Sequence, residues 1–195
     1  MTKGRLEAFS DGVLAVIITI MVLELAAPEA PTWQALHHLA PKGLSYLLSY
    51  VFVGIYWSNH HHLLQVTEHV NGSVLWANLH LLFWLSLVPF ATAWMGETHF
   101  LSTPVALYGL VLLMAAIAYF ILTRALLALH PRDSKLAIAL GADFKGKISV
   151  VHYVAAVAIS HWYPRVACGI YVLVAIMWLV PDRRIEKMMG TPPRR

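Results

Sequence analysis

The sequence predicts an all-α integral membrane protein with six transmembrane helices, folded as a single domain over residues 1–195. Three observations support this prediction. Hydrophobic residues make up 59% of the chain and charged residues only 12%, about half the charged fraction of an average soluble domain. The hydrophobic residues are grouped in blocks of about 20, the length of helix that crosses ~30 Å of hydrocarbon. The lysines and arginines lie almost entirely between these blocks.

The six predicted helices follow one another with short connections. The first is longer than the hydrophobic core of a signal peptide and carries Asp11 and Glu24, so we expect it to be retained. Pro28 follows its predicted end. The last two helices are short and meet near Pro164, so an alternative with one broken span and five crossings stays open. The predicted ranges are 9–27, 43–64, 74–95, 104–123, 148–163 and 166–180.

The basic residues predict the orientation of the chain. With six spans and a cytoplasmic N-terminus, only Lys42 and Arg165 fall on the outer side. Because cytoplasmic segments are enriched in lysine and arginine, we expect both termini in the cytoplasm and therefore an even number of spans. The expected location is the inner membrane of the cell. The charge of +4 is explained in this way, without a nucleic-acid partner. The cytoplasmic set is Lys3, Arg5, Arg124, Arg132, Lys135, Lys145, Lys147, Arg183, Arg184, Lys187, Arg194 and Arg195.

Four residues of the first helix form a narrow stripe. At about 100° per residue, Val16, Thr19, Ile20 and Leu23 fall on one side of the helix, and Glu24 flanks them near the outer end. From periodicity alone, the simplest interpretation is that these side chains face lipid or a neighbouring helix.

A second group of polar residues lies at the cytoplasmic level of three helices. The second helix runs inwards, so His60–His62 near its end lie at the level of Ser10 and Asp11 in the first helix. Asn78 and His80, early in the third helix, lie at the same level. Because buried polar groups without partners are costly, we expect a hydrogen-bonded network here. Its predicted members are Arg5, Ser10, Asp11, His60, His61 and Asn78.

Three consecutive histidines also suggest a metal site. Consecutive helical residues point about 100° apart, so at most two could reach one ion, and no His-x3-His or Glu-x-x-His spacing accompanies them. The single cysteine, Cys168, excludes a cysteine-based metal site. The sequence has no phosphate-binding glycine-rich loop and no credible nucleophile–base pair. We therefore expect no resident metal and no cofactor, and we do not expect the protein to be an enzyme.

The motif Arg5-x-x-x-Phe9-Ser10-Asp11 resembles the signature of the transmembrane protein 175 family, the bacterial and endolysosomal potassium channels. The similarity continues through the first helix to Glu24. Two further motifs, Trp57-x-x-His60-His61 and Asn78-Leu-x-Leu-Leu-Phe83-x5-Pro89-Phe90, resemble the second and third helices of the family. The resemblance is specific up to about residue 95 and rests mainly on helix number beyond it.

The resemblance implies a homotetramer in lipid, with the first helix of each subunit lining a central pore. It implies weak selectivity for K⁺ over Na⁺, with monovalent cations as the only ligands and hydrophobic constrictions in place of a carbonyl filter. The implied rings are Val16, Ile20 and Leu23, with Thr19 as a hydroxyl ring and Glu24 at the outer mouth. Val16 is smaller than the leucine or isoleucine expected at the innermost ring, which predicts a looser constriction.

The family signature also implies a structural role for the polar residues. Its members here are Arg5, Phe9, Ser10, Asp11, His60, His61 and Asn78. They are expected to stabilise the cytoplasmic end of the pore helix.

The alternative function is a proton- or cation-coupled transporter that uses Asp11 and His60–His62 as a relay. Such transporters are expected to have helices interrupted by glycine or proline in paired positions, and the first two helices here are predicted to be unbroken. A membrane-embedded metal-dependent enzyme is a third interpretation, and the ligand spacing disfavours it.

Overall fold

The computed structural model describes residues 2–28, 30–131, 134, 137 and 144–179, and these residues form helices and turns without a strand. The predicted all-helical class is therefore confirmed. The helices are α1 Lys3–Leu23, α2 Trp33–His38, α3 Ala40–Gln65, α4 Gly72–Ser86, α5 Val88–Glu97, α6 Ser102–Leu127, α7 Phe144–Ser160 and α8 Pro164–Leu179.

Three stretches of the described chain are long and apolar enough to cross a membrane. They are α1, the stretch Gly72–Glu97 that combines α4 with α5, and α6, while α8 is apolar but shorter. Several such helices in one chain indicate a multi-pass membrane protein. The six-span topology stays a prediction, and the end of its sixth span, Val180, lies outside the described residues together with Arg132, Lys135 and the basic residues after position 182.

Two predicted spans extend beyond the helices that they describe. The first was expected to reach Ala27, but α1 ends at Leu23 with Glu24 as its C-cap. Glu24 is exposed, and hydration of its carboxylate favours an end of the apolar helix here over continuation towards Pro28. The fifth was expected to reach Tyr163, but α7 ends at Ser160 and is followed by a turn in which the Tyr163 N–H bonds the carbonyl of Ile159 at 2.9 Å. Helical geometry is disfavoured at Tyr163 itself because it precedes Pro164.

The third predicted span is built from two helices with a break at Leu87. Pro89 lies in the first turn of α5 and has no N–H to donate to the carbonyl of Leu85. The N–H of Leu87 instead bonds the carbonyl of Trp84 at 3.3 Å, which tightens the chain at the break. Together α4 and α5 form one stretch, Gly72–Glu97, that is long and apolar enough to cross a membrane.

α1 lies at the edge of the subunit. It packs on α3, α4 and α5, whereas α6 packs on α4, α5 and α7, and α8 packs on α7, α3 and α6. The packed face of α1 carries Leu6, Leu14, Ile17 and Met21, all buried. The opposite face of α1 has no packing partner within the described chain, and this leaves it available to its surroundings.

α3 and α5 approach each other closely at Gly96. A Cβ atom built on this glycine would lie 2.5 Å from the Ser45 hydroxyl and 2.8 Å from the Cα of Lys42. The next residue, Glu97, accepts a hydrogen bond from the Lys42 ammonium at 3.0 Å. The absence of a side chain at position 96 therefore lets the start of α3 and the end of α5 come together.

Candidate functional site

The unpacked face of α1 carries the predicted stripe. The side chains of Val16, Ile20 and Leu23 are 55%, 43% and 78% exposed, whereas Ile17 on the packed face is 3% exposed. Thr19 is exposed as well. In a membrane protein, a contiguous row of exposed apolar side chains is covered either by lipid or by another protein. The stripe therefore faces the surroundings of the subunit and contributes nothing to its core.

An open groove of about 1060 Å³ runs beside the stripe between α1 and α5. Phe9, Val16 and Ile20 contribute to its α1 wall, and Phe90 and Trp94 contribute to its α5 wall. The carboxylates of Glu24 and Glu97 also line it, at the ends of α1 and α5. The groove is thus apolar along most of its length and acidic at one end.

Thr19 places an oxygen on this exposed face. Its hydroxyl donates a hydrogen bond of 2.9 Å to the carbonyl of Val16, one turn earlier in α1. Because the proton is used within the helix, the oxygen offers only its lone pairs to other groups. Thr19 can therefore act as an acceptor or a cation ligand without leaving a donor unsatisfied.

A chain of hydrogen bonds joins α1, α3 and α4 through three of the predicted polar residues, Ser10, His60 and Asn78. The amide nitrogen of Asn78 in α4 donates to the hydroxyl of Ser10 in α1 at 2.9 Å, and this hydroxyl donates to the carbonyl of Leu6 at 2.9 Å. On the other side, Nε2 of His60 in α3 lies 2.8 Å from the amide oxygen of Asn78. This oxygen only accepts, so Nε2 carries the proton, and the buried Nδ1 has no partner among the described residues.

A second set of contacts joins α1 to α3 on an adjacent face. The indole N–H of Trp57 donates to Oδ1 of Asp11 at 3.0 Å. Nδ1 of His61 lies 3.2 Å from Oε1 of Glu7, and the His61 ring stacks on Trp57 with centroids 6.1 Å apart. Sequence reasoning did not single out Glu7. The matching four-residue spacings, Glu7 to Asp11 and Trp57 to His61, are the signal that indicates this pairing.

The structure does not bring all the predicted residues together. Arg5 and Phe9 lie on the exposed side of α1, about three turns and two turns respectively before Val16, in line with the same stripe. No hydrogen bond or ion pair of the Arg5 guanidinium is found within the described part of the chain. There, too, no three histidine, cysteine, aspartate or glutamate side chains are grouped to hold a metal ion.

Comparison with known proteins identifies the family. Residues 5–89 match the model of the family described as the endosomal/lysosomal potassium channel TMEM175. Over 189 residues the chain is 57% identical to a potassium channel from a Chryseobacterium species, covering 97% of this chain and 98% of that protein. The chain belongs to the TMEM175 family. The resemblance carried by the Arg5-x-x-x-Phe9-Ser10-Asp11 motif is thereby confirmed, and this is a family of ion channels and not of enzymes.

Two further TMEM175 relatives show how far the similarity extends. The crystal structure of a lysosomal potassium-selective channel TMEM175 homologue from Chamaesiphon minutus superposes with a TM-score of 0.79 at 27% identity, covering 93% of this chain and 97% of that one. The endosomal/lysosomal proton channel TMEM175 of Gallus gallus is 35% identical in an alignment of 81 residues that covers 35% of this chain and 16% of that protein. The fold is thus shared along nearly the whole chain with the bacterial homologue.

Proposed function

We propose that this protein is a cation channel that conducts K⁺ in weak preference to Na⁺, formed by four copies whose α1 helices surround a central pore. The observation that carries the proposal is the exposed stripe Val16, Thr19, Ile20 and Leu23 on a helix whose other face is fully packed. Membership in a family of ion channels supports cation conduction. The potassium-selective description of the homologue with the same fold supports K⁺ as the ion.

The width of the exposed face fits a ring of subunits. On the helical wheel, the exposed residues extend from Val22 through Val16 to Glu24, an arc of roughly 200°. In a fourfold ring, the centre of this exposed face would point to the pore axis, and its two sides would contact the neighbouring copies. The groove between α1 and α5 offers an apolar surface for the α1 of the adjacent copy. The polar Thr19 and Glu24 on this face favour a hydrated axis over lipid.

The proposed permeation mechanism relies on partial dehydration. Apolar rings at Ile20, Leu23 and the smaller Val16 disfavour fully hydrated ions, and K⁺ sheds water at lower cost than Na⁺. The Thr19 oxygen, whose proton is already bonded to the helix, replaces part of the lost hydration. Carboxylates of Glu24 near the outer mouth raise the local cation concentration. The termini lie in the cytoplasm in this arrangement, as the charge distribution predicts.

The transporter alternative lacks a connected relay. The Asp11 carboxylate accepts from Trp57, and His60 bonds Asn78. Between Asp11 and the histidines His60–His62, no hydrogen bond is found among the described residues. A proton relay through these groups would need contacts that this arrangement does not supply.

The test of the pore assignment is Ile20→Asn, recorded as single channels from purified protein in planar bilayers. A polar ring is easier to hydrate, so we expect higher conductance and a biionic K⁺/Na⁺ reversal potential closer to zero. The matched control is Val22→Asn, which places the same amide on an exposed position about 200° away round the helix.

A buried control separates permeation from folding. Ile17→Ala removes side-chain volume from the packed face, so it should cost about 2–5 kcal/mol of stability and leave selectivity unchanged. Unchanged currents in Ile20→Asn, together with altered selectivity in Val22→Asn, would place the pore on the other flank of α1 and refute the assignment.

A further inference from the structure

A second cavity lies between α3, α6, α7 and α8, and no residue of α1 lines it. Its volume of about 340 Å³ falls within the range of small-molecule sites. Much of its wall is apolar, with Phe52 and Ile55 from α3, Ile117 and Phe120 from α6, and Val150 from α7. A cavity of this kind fits a hydrocarbon chain.

Two tyrosine hydroxyls in the wall of this cavity have no hydrogen-bond partner among the described residues. Tyr56 and Tyr153 are only 9% and 2% exposed, and no hydrogen bond of either hydroxyl is found among the described residues. The neighbouring Tyr119, in contrast, donates to the carbonyl of Asn59 at 3.2 Å. Neither hydroxyl oxygen is among the fully buried atoms that lack a partner, so both keep accessible surface and offer two donors to whatever occupies the cavity.

One end of the cavity is basic. Lys147, in the first turn of α7, lines the cavity and is exposed, and no ion pair of its ammonium is found within the described chain. Lys145 lies close by, with its ammonium 6.0 Å from the ring centroid of Trp178. The Trp178 indole also lines the cavity and donates to the Ser149 hydroxyl at 2.8 Å. Tryptophan and lysine together are typical of the boundary between hydrocarbon and water.

We propose that this cavity binds an anionic phospholipid of the cytoplasmic leaflet, with one acyl chain inside and the phosphate at Lys147. The apolar wall accommodates the chain, and the hydroxyls of Tyr56 and Tyr153 donate to ester carbonyl oxygens. Basic pockets between membrane helices on the cytoplasmic side bind such headgroups. A soluble anion would leave the apolar wall unfilled, and a zwitterionic lipid would leave Lys147 without a net counter-charge. The site is separate from the proposed pore and does not depend on ion conduction.

The experiment measures lipid retention by native mass spectrometry of the full-length protein in detergent. The probes are dioleoylphosphatidylglycerol and dioleoylphosphatidylcholine, which share acyl chains and differ in charge. We expect the wild type to prefer phosphatidylglycerol. Lys147→Gln should lower the phosphatidylglycerol affinity by about fivefold and leave phosphatidylcholine unchanged, because one basic residue near a membrane surface contributes about that factor.

Two further variants keep the test decisive. Arg165→Gln removes an equal charge from the start of α8, away from the cavity, and should change neither lipid. Ala116→Phe fills the cavity from α6 and should lower the retention of both lipids. Equal retention of the two lipids by the wild type would overturn the proposal. So would a phosphatidylglycerol preference that survives both Lys147→Gln and Ala116→Phe, since the lipid would then bind elsewhere.

Discussion

Replacing Asn78 by alanine should loosen α1 from α3 and α4, because one side chain links all three helices. Asn78 is fully buried. Its amide oxygen accepts a hydrogen bond from Nε2 of His60, and its amide nitrogen donates one to the Ser10 hydroxyl. Alanine would leave His60 Nε2 without an acceptor, while Ser10 keeps its own bond to the Leu6 carbonyl. A stranded buried donor costs about 1–3 kcal/mol, and the lost bond to Ser10 adds about 1 kcal/mol, giving a total of about 2–4 kcal/mol.

The His60 ring cannot relieve this loss by turning over. Its Nδ1 already has no partner among the described residues, so either orientation leaves both ring nitrogens unsatisfied once Asn78 is gone. The penalty therefore stays in the folded state, and this distinguishes the site from an exposed asparagine.

Thermal denaturation in mild detergent, followed by size-exclusion chromatography, measures this effect. At about 2–4 °C per kcal/mol for a chain of this size, the midpoint should fall by roughly 4–16 °C. Asn59→Ala is the matched control, because the Asn59 amide only bonds the Ile55 carbonyl of its own helix. A midpoint for Asn78→Ala no lower than that of Asn59→Ala would show that the three-helix link carries no stability.

Two other changes test the contact between the start of α3 and the end of α5. Gly96→Ala should destabilise the protein by about 1–3 kcal/mol, because the new Cβ would meet the Lys42 backbone. The control is Gly54→Ala in α3, whose Cβ would meet nothing within 4 Å and which should be neutral or slightly stabilising in the same thermal denaturation. An equal effect of the two would contradict the packing argument. Lys42→Gln should change stability by less than about 1 kcal/mol, since both partners of its pair with Glu97 are partly exposed. Because the Glu97 carboxylate would lose its counter-charge, Lys42→Gln should raise single-channel K⁺ conductance at low salt and not near 1 M, where the Debye length is about 3 Å. Unchanged conductance at low salt would mean that the pair lies away from the ion path.

The positions of the helices follow from local features of the sequence. Blocks of apolar residues indicate where α1, α3 and α6 lie, because length and hydropathy are properties of each segment by itself. The shared depth of Ser10, His60 and Asn78 follows from the same blocks once the direction of each helix is known. The structure brings these three side chains into hydrogen-bond contact.

The rotation of each helix about its axis does not follow from local features. The prediction grouped Asp11 with the histidines by depth, but Asp11 bonds Trp57, and His61 pairs with Glu7. Which side chains meet at one depth depends on how α3 is turned against α1, and that is set by packing over the whole interface. The pair Lys42–Glu97 was missed for the same reason, since its members are 55 positions apart.

The link between Ser10 and Asn78 has a consequence for biosynthesis. The two residues are 68 positions apart. At about 5–20 residues per second, a ribosome therefore reaches Asn78 roughly 3–14 s after it has added Ser10. During this interval α1 can enter the bilayer, but it has no Asn78 to fix the orientation of its buried face. The helix made first is therefore free to rotate in the lipid until α4 has been synthesised, and a later segment of the chain determines which face of it is finally left exposed.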